Sequence, residues 1–127
     1  MEIREVYKEW LQKAENDLRT AQILLDEGGP TDTLCFHCQQ AVEKYLKAFL
    51  TFKKIEFKKI HDLTVLSKLA IKEIKNIGNY SDDLKLLNAY YIESRYPPDL
   101  AYYSEEEAKE ALDKAISIIN LIRTEIK

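Results

Sequence analysis

The stretch Asp32–Phe52, DTLCFHCQQAVEKYLKAFLTF, decides how the chain folds. Leu34, Cys38, Ala41, Tyr45, Ala48 and Phe52 recur along it at alternating steps of three and four, the spacing that lines one side of an α-helix with apolar groups. His37, Gln40, Lys44 and Lys47 share that spacing and fall along another side of the same cylinder. The pattern predicts a core helix that also presents a row of polar groups. Thr31 or Asp32 can cap its first turn after Pro30, and at about 1.5 Å per residue it runs roughly 30 Å, the width of a small domain. The other segments are expected to pack along it.

Upstream, Tyr7, Leu11, Ala14, Leu18, Ala21 and Leu25, widened by Trp10, predict a first helix over about Val6 to Asp26. Gly28-Gly29-Pro30 then ends it, because glycine takes the left-handed C-cap conformation and proline cannot continue a helix. The first two helices are therefore expected to form an antiparallel hairpin. Downstream, Leu63, Leu66, Ala70 and Ile74 space out a short third helix introduced by His61 or Asp62. His61 reads as a capping or packing residue. Asn76, Gly78 and Asn79 interrupt the pattern, and Ser81, Asp82 and Asp83 start a fourth helix carried by Leu84, Leu87 and Tyr91. Pro97 disfavours helical geometry at Tyr96, so that helix must end near Arg95. Ser104-Glu105-Glu106-Glu107 is a capping box, after which Ala108, Leu112, Ala115, Ile119, Ile122 and Ile126 carry the last helix. The expected fold is all-α: one domain over residues 1–127, an antiparallel up-and-down bundle of four long helices plus one short helix. Tyr45, Phe49 and Tyr91 supply more bulk than one stripe per helix uses, which points to a symmetric homodimer.

The totals agree with this class. In 127 residues there are three glycines and three prolines, too few for a fold of many short strands. No apolar run reaches membrane-spanning length and the first ten residues lack the apolar stretch of a secretory signal, so a soluble, cytoplasmic protein with no membrane partner is expected. The formal charge of −3 argues against a general nucleic-acid coat protein. Local patches remain: Lys53, Lys54, Lys58 and Lys59 form either a solvated connection or a positive rim beside Lys47.

Cys35 and Cys38 have Cys-x-x-Cys spacing, but zinc needs four ligands and the redox motif opens a helix after a strand. They read as small buried residues. Arg95 stands at a helix end, where it can satisfy carbonyls or pair with a glutamate, or bind phosphate through its planar fork. Tyr90, Tyr91, Tyr96, Tyr102 and Tyr103 likewise suit either packing at a bundle end or base stacking. No glycine-rich phosphate loop, nucleophile motif or acidic metal cluster is present, and neither cofactor nor metal is expected.

Specific residues go further. Trp10, Ala14, Asp17-Leu18, Ala21, Leu24-Leu25 and Gly28, followed by Phe36-His37-Cys38-Gln39-Gln40-Ala41-Val42-Glu43-Lys44-Tyr45-Leu46-Lys47-Ala48, then His61-Asp62-Leu63 and Arg95-Tyr96-Pro97, closely resemble the HEPN domain. The resemblance spans essentially the whole chain. It implies a helical bundle, usually homodimeric, that accompanies a separately encoded minimal nucleotidyltransferase, in arrangements that include toxin–antitoxin pairs. The family was named for nucleotide binding, and many members are metal-independent ribonucleases using an Arg, four to six intervening residues and a His. Here Arg95 fills the arginine position, but Leu100 stands where the window opens and no His follows within it. Tyr102 matches the Tyr that follows the His in one toxin branch.

Attack by an RNA 2′-hydroxyl needs a group that moves a proton near neutral pH, which imidazole does and leucine does not. The expectation is a nucleotide- or RNA-binding subunit using His37, Gln40, Lys44, Lys47, Arg95 and Tyr102, with Arg95 as the catalytic residue of any surviving cleavage. One alternative is a ribonuclease with His37 or His61 as replacement base; the other is a purely structural dimerisation module.

Overall fold

A computed structural model describes residues 5–93 and 103–126. Its α-helices are α1 (Val6–Asp26), α2 (Thr31–Phe52), α3 (Leu63–Ala70), α4 (Ser81–Glu93) and α5 (Glu105–Glu125), with a 3-10 turn at Lys75–Tyr80 and no strand among the described residues. They form the expected all-α bundle of four longer helices and one short one. None of these helices is long and apolar enough to cross a membrane.

Every other α-helix packs on α2. This central position explains why the apolar stripe read from the sequence is too narrow: Cys35, Val42, Leu46, Phe49 and Leu50 are buried alongside Leu34, Cys38, Ala41, Tyr45 and Ala48. Phe52, the last member of the stripe, is only half-buried and meets Tyr7 edge-on at 5.0 Å. Tyr45 and Phe49 are 1% and 0% exposed, so the bulk that suggested a dimer is spent within the chain itself. α1 is peripheral by comparison. Its Ala14 and Ala21 are fully buried and let α2 approach closely, while Tyr7, Leu11, Leu18 and Leu25 are half-buried.

The reversal between α1 and α2 is a Schellman motif. Gly29 N–H donates to the Leu24 carbonyl at 2.8 Å and Gly28 N–H to the Leu25 carbonyl at 3.3 Å, with Gly28 at φ +67°. A Cβ on Gly29 would stand 2.6 Å from Leu24 Cδ2, the end of a side chain that can shift, so it is the conformation of Gly28 that requires glycine. The end of α2 repeats the motif without glycine: Ile55 N–H donates to the Leu50 carbonyl at 2.8 Å while Lys54 adopts φ +58°. α2 begins at Thr31, one residue earlier than its stripe predicts. Pro30 occupies the cap position and the Asp32 carboxylate accepts from Thr33 N–H at 2.9 Å.

α3 is shorter than its apolar spacing predicts, ending at Ala70, and Ile74 is buried from the turn that follows. Asp62, not His61, is its cap, accepting from Thr64 N–H at 3.0 Å and from the Thr64 hydroxyl at 2.6 Å. Asn88 of α4 ties the same corner, donating to Asp62 at 3.2 Å and accepting from Leu63 N–H at 2.8 Å. Ser104 Oγ caps α5 by accepting from Glu107 N–H at 3.0 Å.

The two left-handed corners give opposite mutational signs. Gly28→Ala should destabilise the fold by about 1–2 kcal/mol, whereas Lys54→Gly should stabilise it by up to about 1 kcal/mol. Urea midpoints of the two variants against wild type check both signs.

Candidate functional site

Two acids organise the polar residues of α2. Asp17, on the α1 face turned to α2, accepts from His37 Nδ1 at 2.8 Å and from Lys44 Nζ at 2.5 Å. Burial by itself would push Asp17 up, but the hydrogen bonds and charges of His37 and Lys44 outweigh it and hold the carboxyl below the usual carboxylate range. Because a carboxylate can only accept, the His37 proton on this side is on Nδ1.

Glu43 is the second acid. It is 2% exposed, and its oxygens accept from Lys47 Nζ at 3.0 Å, Gln39 Nε2 at 3.1 Å and His61 Nδ1 at 3.1 Å. Gln39 also donates to the His61 backbone carbonyl at 3.3 Å, so α2 holds that residue by both its main chain and its ring. Lys47 is itself buried, with Nζ 5.3 Å from the Trp10 ring centre.

The row read from the sequence therefore divides. His37 and Lys44 converge on Asp17, and the half-buried Gln40 donates to Gln39 Oε1 at 2.7 Å. Lys47 faces inward to Glu43 instead of continuing the outer row. Arg95, Leu100 and Tyr102 lie outside the described residues.

A line of rings borders both acid clusters. His37 meets Phe36 at 5.6 Å, Phe36 meets Tyr91 of α4 at 6.2 Å, and Tyr91 stacks on His61 at 4.5 Å with 14° between the planes. The two imidazoles thus stand at opposite ends of a continuous aromatic strip. Asp17, Gln39, Glu43 and Tyr91 were missed as site residues in the sequence. The signals were there: Asp17 stands at helical spacing between Ala14 and Ala21, on the face they line, and Gln39, Glu43 and Lys47 recur at i, i+4.

Cys35 and Cys38 are buried free thiols, with Cys35 pushed up to about 12 and Cys38 also pushed up, both by burial. The described residues hold no cluster of three or more His, Cys, Asp or Glu suited to a metal ion. A third polar tie has a bracing role: Arg123 of α5 donates to Glu15 at 2.5 Å and to the Tyr45 hydroxyl at 3.1 Å, and Tyr45 also bonds Glu15, joining α1, α2 and α5.

A lowered carboxyl stabilises the folded chain above the unfolded carboxyl range, and that stabilisation is lost as pH falls through the folded value. Asp17, and Asp62 held low chiefly by its Thr64 hydrogen bonds, should therefore make the fold weaken in acid below about pH 4. Asp17→Asn should lose about 1.5–3 kcal/mol at neutral pH and show a flatter acid limb. Urea unfolding across pH for wild type and variant is the measurement.

The HEPN domain model matches residues 7–125 of this chain. The curated protein named "Putative toxin MJ1304", from Methanocaldococcus jannaschii, is 28% identical over 135 aligned positions, covering 94% of this chain and 88% of that protein. The crystal structure of TT1696 from Thermus thermophilus superposes with a TM-score of 0.84 at 29% identity, covering 96% of this chain and 99% of that one. The crystal structure of ST0689, an archaeal HEPN homologue, gives a TM-score of 0.75 at 31% identity, covering 95% and 98% of the two chains. With the family model spanning nearly the full length and two crystal structures sharing both fold and sequence, the chain belongs to the HEPN domain family.

Proposed function

We propose that this HEPN protein is the nucleotide- or RNA-binding subunit of a toxin–antitoxin-like pair, acting with a separately encoded minimal nucleotidyltransferase. The observation that carries the binding reading is the strip His37–Phe36–Tyr91–His61, in which two imidazoles flank aromatic rings. Unpaired bases stack on such rings, and cationic side chains beside them take the phosphates. Tyr91 stands four residues before Arg95 in the chain, and a guanidinium suits bidentate phosphate binding. The proposed site comprises His37, Gln40, Lys44, Arg95 and Tyr102, with Lys47 acting from behind through Glu43. The relative named as a toxin supports the paired-system part of the reading.

Leu100 in place of the motif histidine favours binding over cleavage, since removal of a general acid or base typically costs about 10²–10⁴ in rate. Calorimetric titration with nucleotides and short RNA, in EDTA, tests the proposal. Wild type should bind with an affinity that falls as salt rises and should leave the RNA intact. Arg95→Lys, which keeps charge but loses the fork, should bind about tenfold or more weakly, and Lys44→Ala should also weaken binding. Equal binding by all three proteins would remove the site.

The same reading includes a homodimer, and a specific surface favours it. Val65 and Leu69, exposed one turn apart on α3, line an open groove with Phe57 and Ile60. Two such apolar faces can cover each other across a twofold axis. Light scattering at micromolar concentration should return the dimer mass, and Val65→Lys with Leu69→Lys should return the monomer. A monomeric wild type would end this part of the proposal.

A further inference from the structure

The polar row of α2 leaves out the more exposed of the two imidazoles, which a buried carboxylate also holds. His61 precedes α3, and its side chain is 50% exposed even though one face of the ring lies on Tyr91 and its Nδ1 lies on Glu43. Half of the side chain therefore stays open to solvent, with Nδ1 and one ring face already engaged. No hydrogen bond to Nε2 is made by any of the described residues.

The charges around His61 decide what its Nε2 can do. Glu43, itself bonded to Lys47, faces it from α2, Tyr91 faces it from α4, and Asp62, next in the chain, is turned away to Thr64 and Asn88. Lys47 already balances Glu43 at 3.0 Å, so a proton gained by His61 leaves one net positive charge at the surface instead of completing a neutral pair. Nδ1–H is committed to Glu43, hence Nε2 can donate only when the ring is imidazolium and can only accept when it is neutral. Lys58 and Lys59, both exposed, stand three and two residues before it and add positive charge on the same segment.

We propose that His61 is a phosphate-binding residue, its imidazolium Nε2–H donating to a phosphate oxygen of a nucleotide or single-stranded RNA, with the orientation set by Glu43 and Tyr91. This rests on the nucleotide-binding reading above and adds to it a residue and a dependence on protonation. Because the bond exists only in the protonated ring, phosphate binding and proton uptake are linked. Affinity must fall as pH rises through the imidazole range of about pH 5 to 8, by up to about tenfold per unit once the ring is mostly neutral.

The test is anisotropy of a fluorescein-labelled short mixed-sequence RNA, and calorimetry of AMP, over that pH range at constant ionic strength, for wild type and His61→Gln. Wild-type affinity should fall with rising pH, and His61→Gln, which keeps a neutral donor, should bind more weakly at the acid end with a shallower slope. Nuclear magnetic resonance of the His61 Cε1–H gives a second readout that does not depend on a variant: its titration midpoint should move up when RNA is added. AMP following the same slope assigns the site to a single nucleotide; RNA alone assigns it to the strand. An unchanged slope in His61→Gln, an unmoved midpoint with RNA bound, or tighter binding as pH rises overturns the inference while leaving the nucleotide-binding reading standing. Absence of any RNA or AMP binding by wild type throughout the range overturns both.

Discussion

A helix buried over most of its circumference has no water there to satisfy its polar groups, and α2 carries Gln39, Glu43 and Lys47 into that position. An unpaired carboxylate there would cost several kcal/mol, so Glu43 obliges its surroundings to supply donors. Lys47 and Gln39 come from the same helix, one turn on either side. The third donor, His61, comes from the segment leading into α3, and Asp62 beside it caps that helix and binds Asn88 of α4. Satisfying one buried carboxylate therefore also fixes where α3 starts and how α4 lies against it.

The same arrangement is repeated one helix away. Asp17 reaches α2 from α1 and is met by a histidine and a lysine, as Glu43 is. Each cluster contains one acid, one lysine and one imidazole whose Nδ1 is occupied. The Phe36 and Tyr91 rings lie between them. Most of the polar row is thus taken up in pairing within the chain, which leaves it less open positive charge than its residues alone suggest.

These pairings also bear on stability. Buried ion pairs stabilise weakly against apolar replacements of the same shape, but breaking one by removing a partner is strongly destabilising. Removing one partner of Glu43 should consequently cost the fold more than the intact cluster contributes. The bulk of the stability comes from the single apolar cluster running from Ala14 to Ile122, built largely on α2 and α5.

Local chemistry was legible in the chain. Helix spans for α1 and α5, the Gly28 corner, the Ser104 cap, the α3 cap narrowed to His61 or Asp62, and the burial of both cysteines follow from spacing, capping and the conformational freedom of glycine, which act within a few residues. The HEPN resemblance was legible for the same reason, since its signatures are short runs of residues. What only the tertiary structure decided was which side of α2 is outside. A periodic stripe reports one apolar face, but a helix surrounded by others is buried on most of its circumference, and the sequence holds no local mark of that. So Phe49 went into the core, Lys47 turned inward to Glu43, and the two clusters were completed from other elements, by Asp17, 20 and 27 residues from His37 and Lys44, and by His61, 18 residues from Glu43. Pairings between charges on different helices depend on packing angle and depth, and those are settled only when the bundle closes.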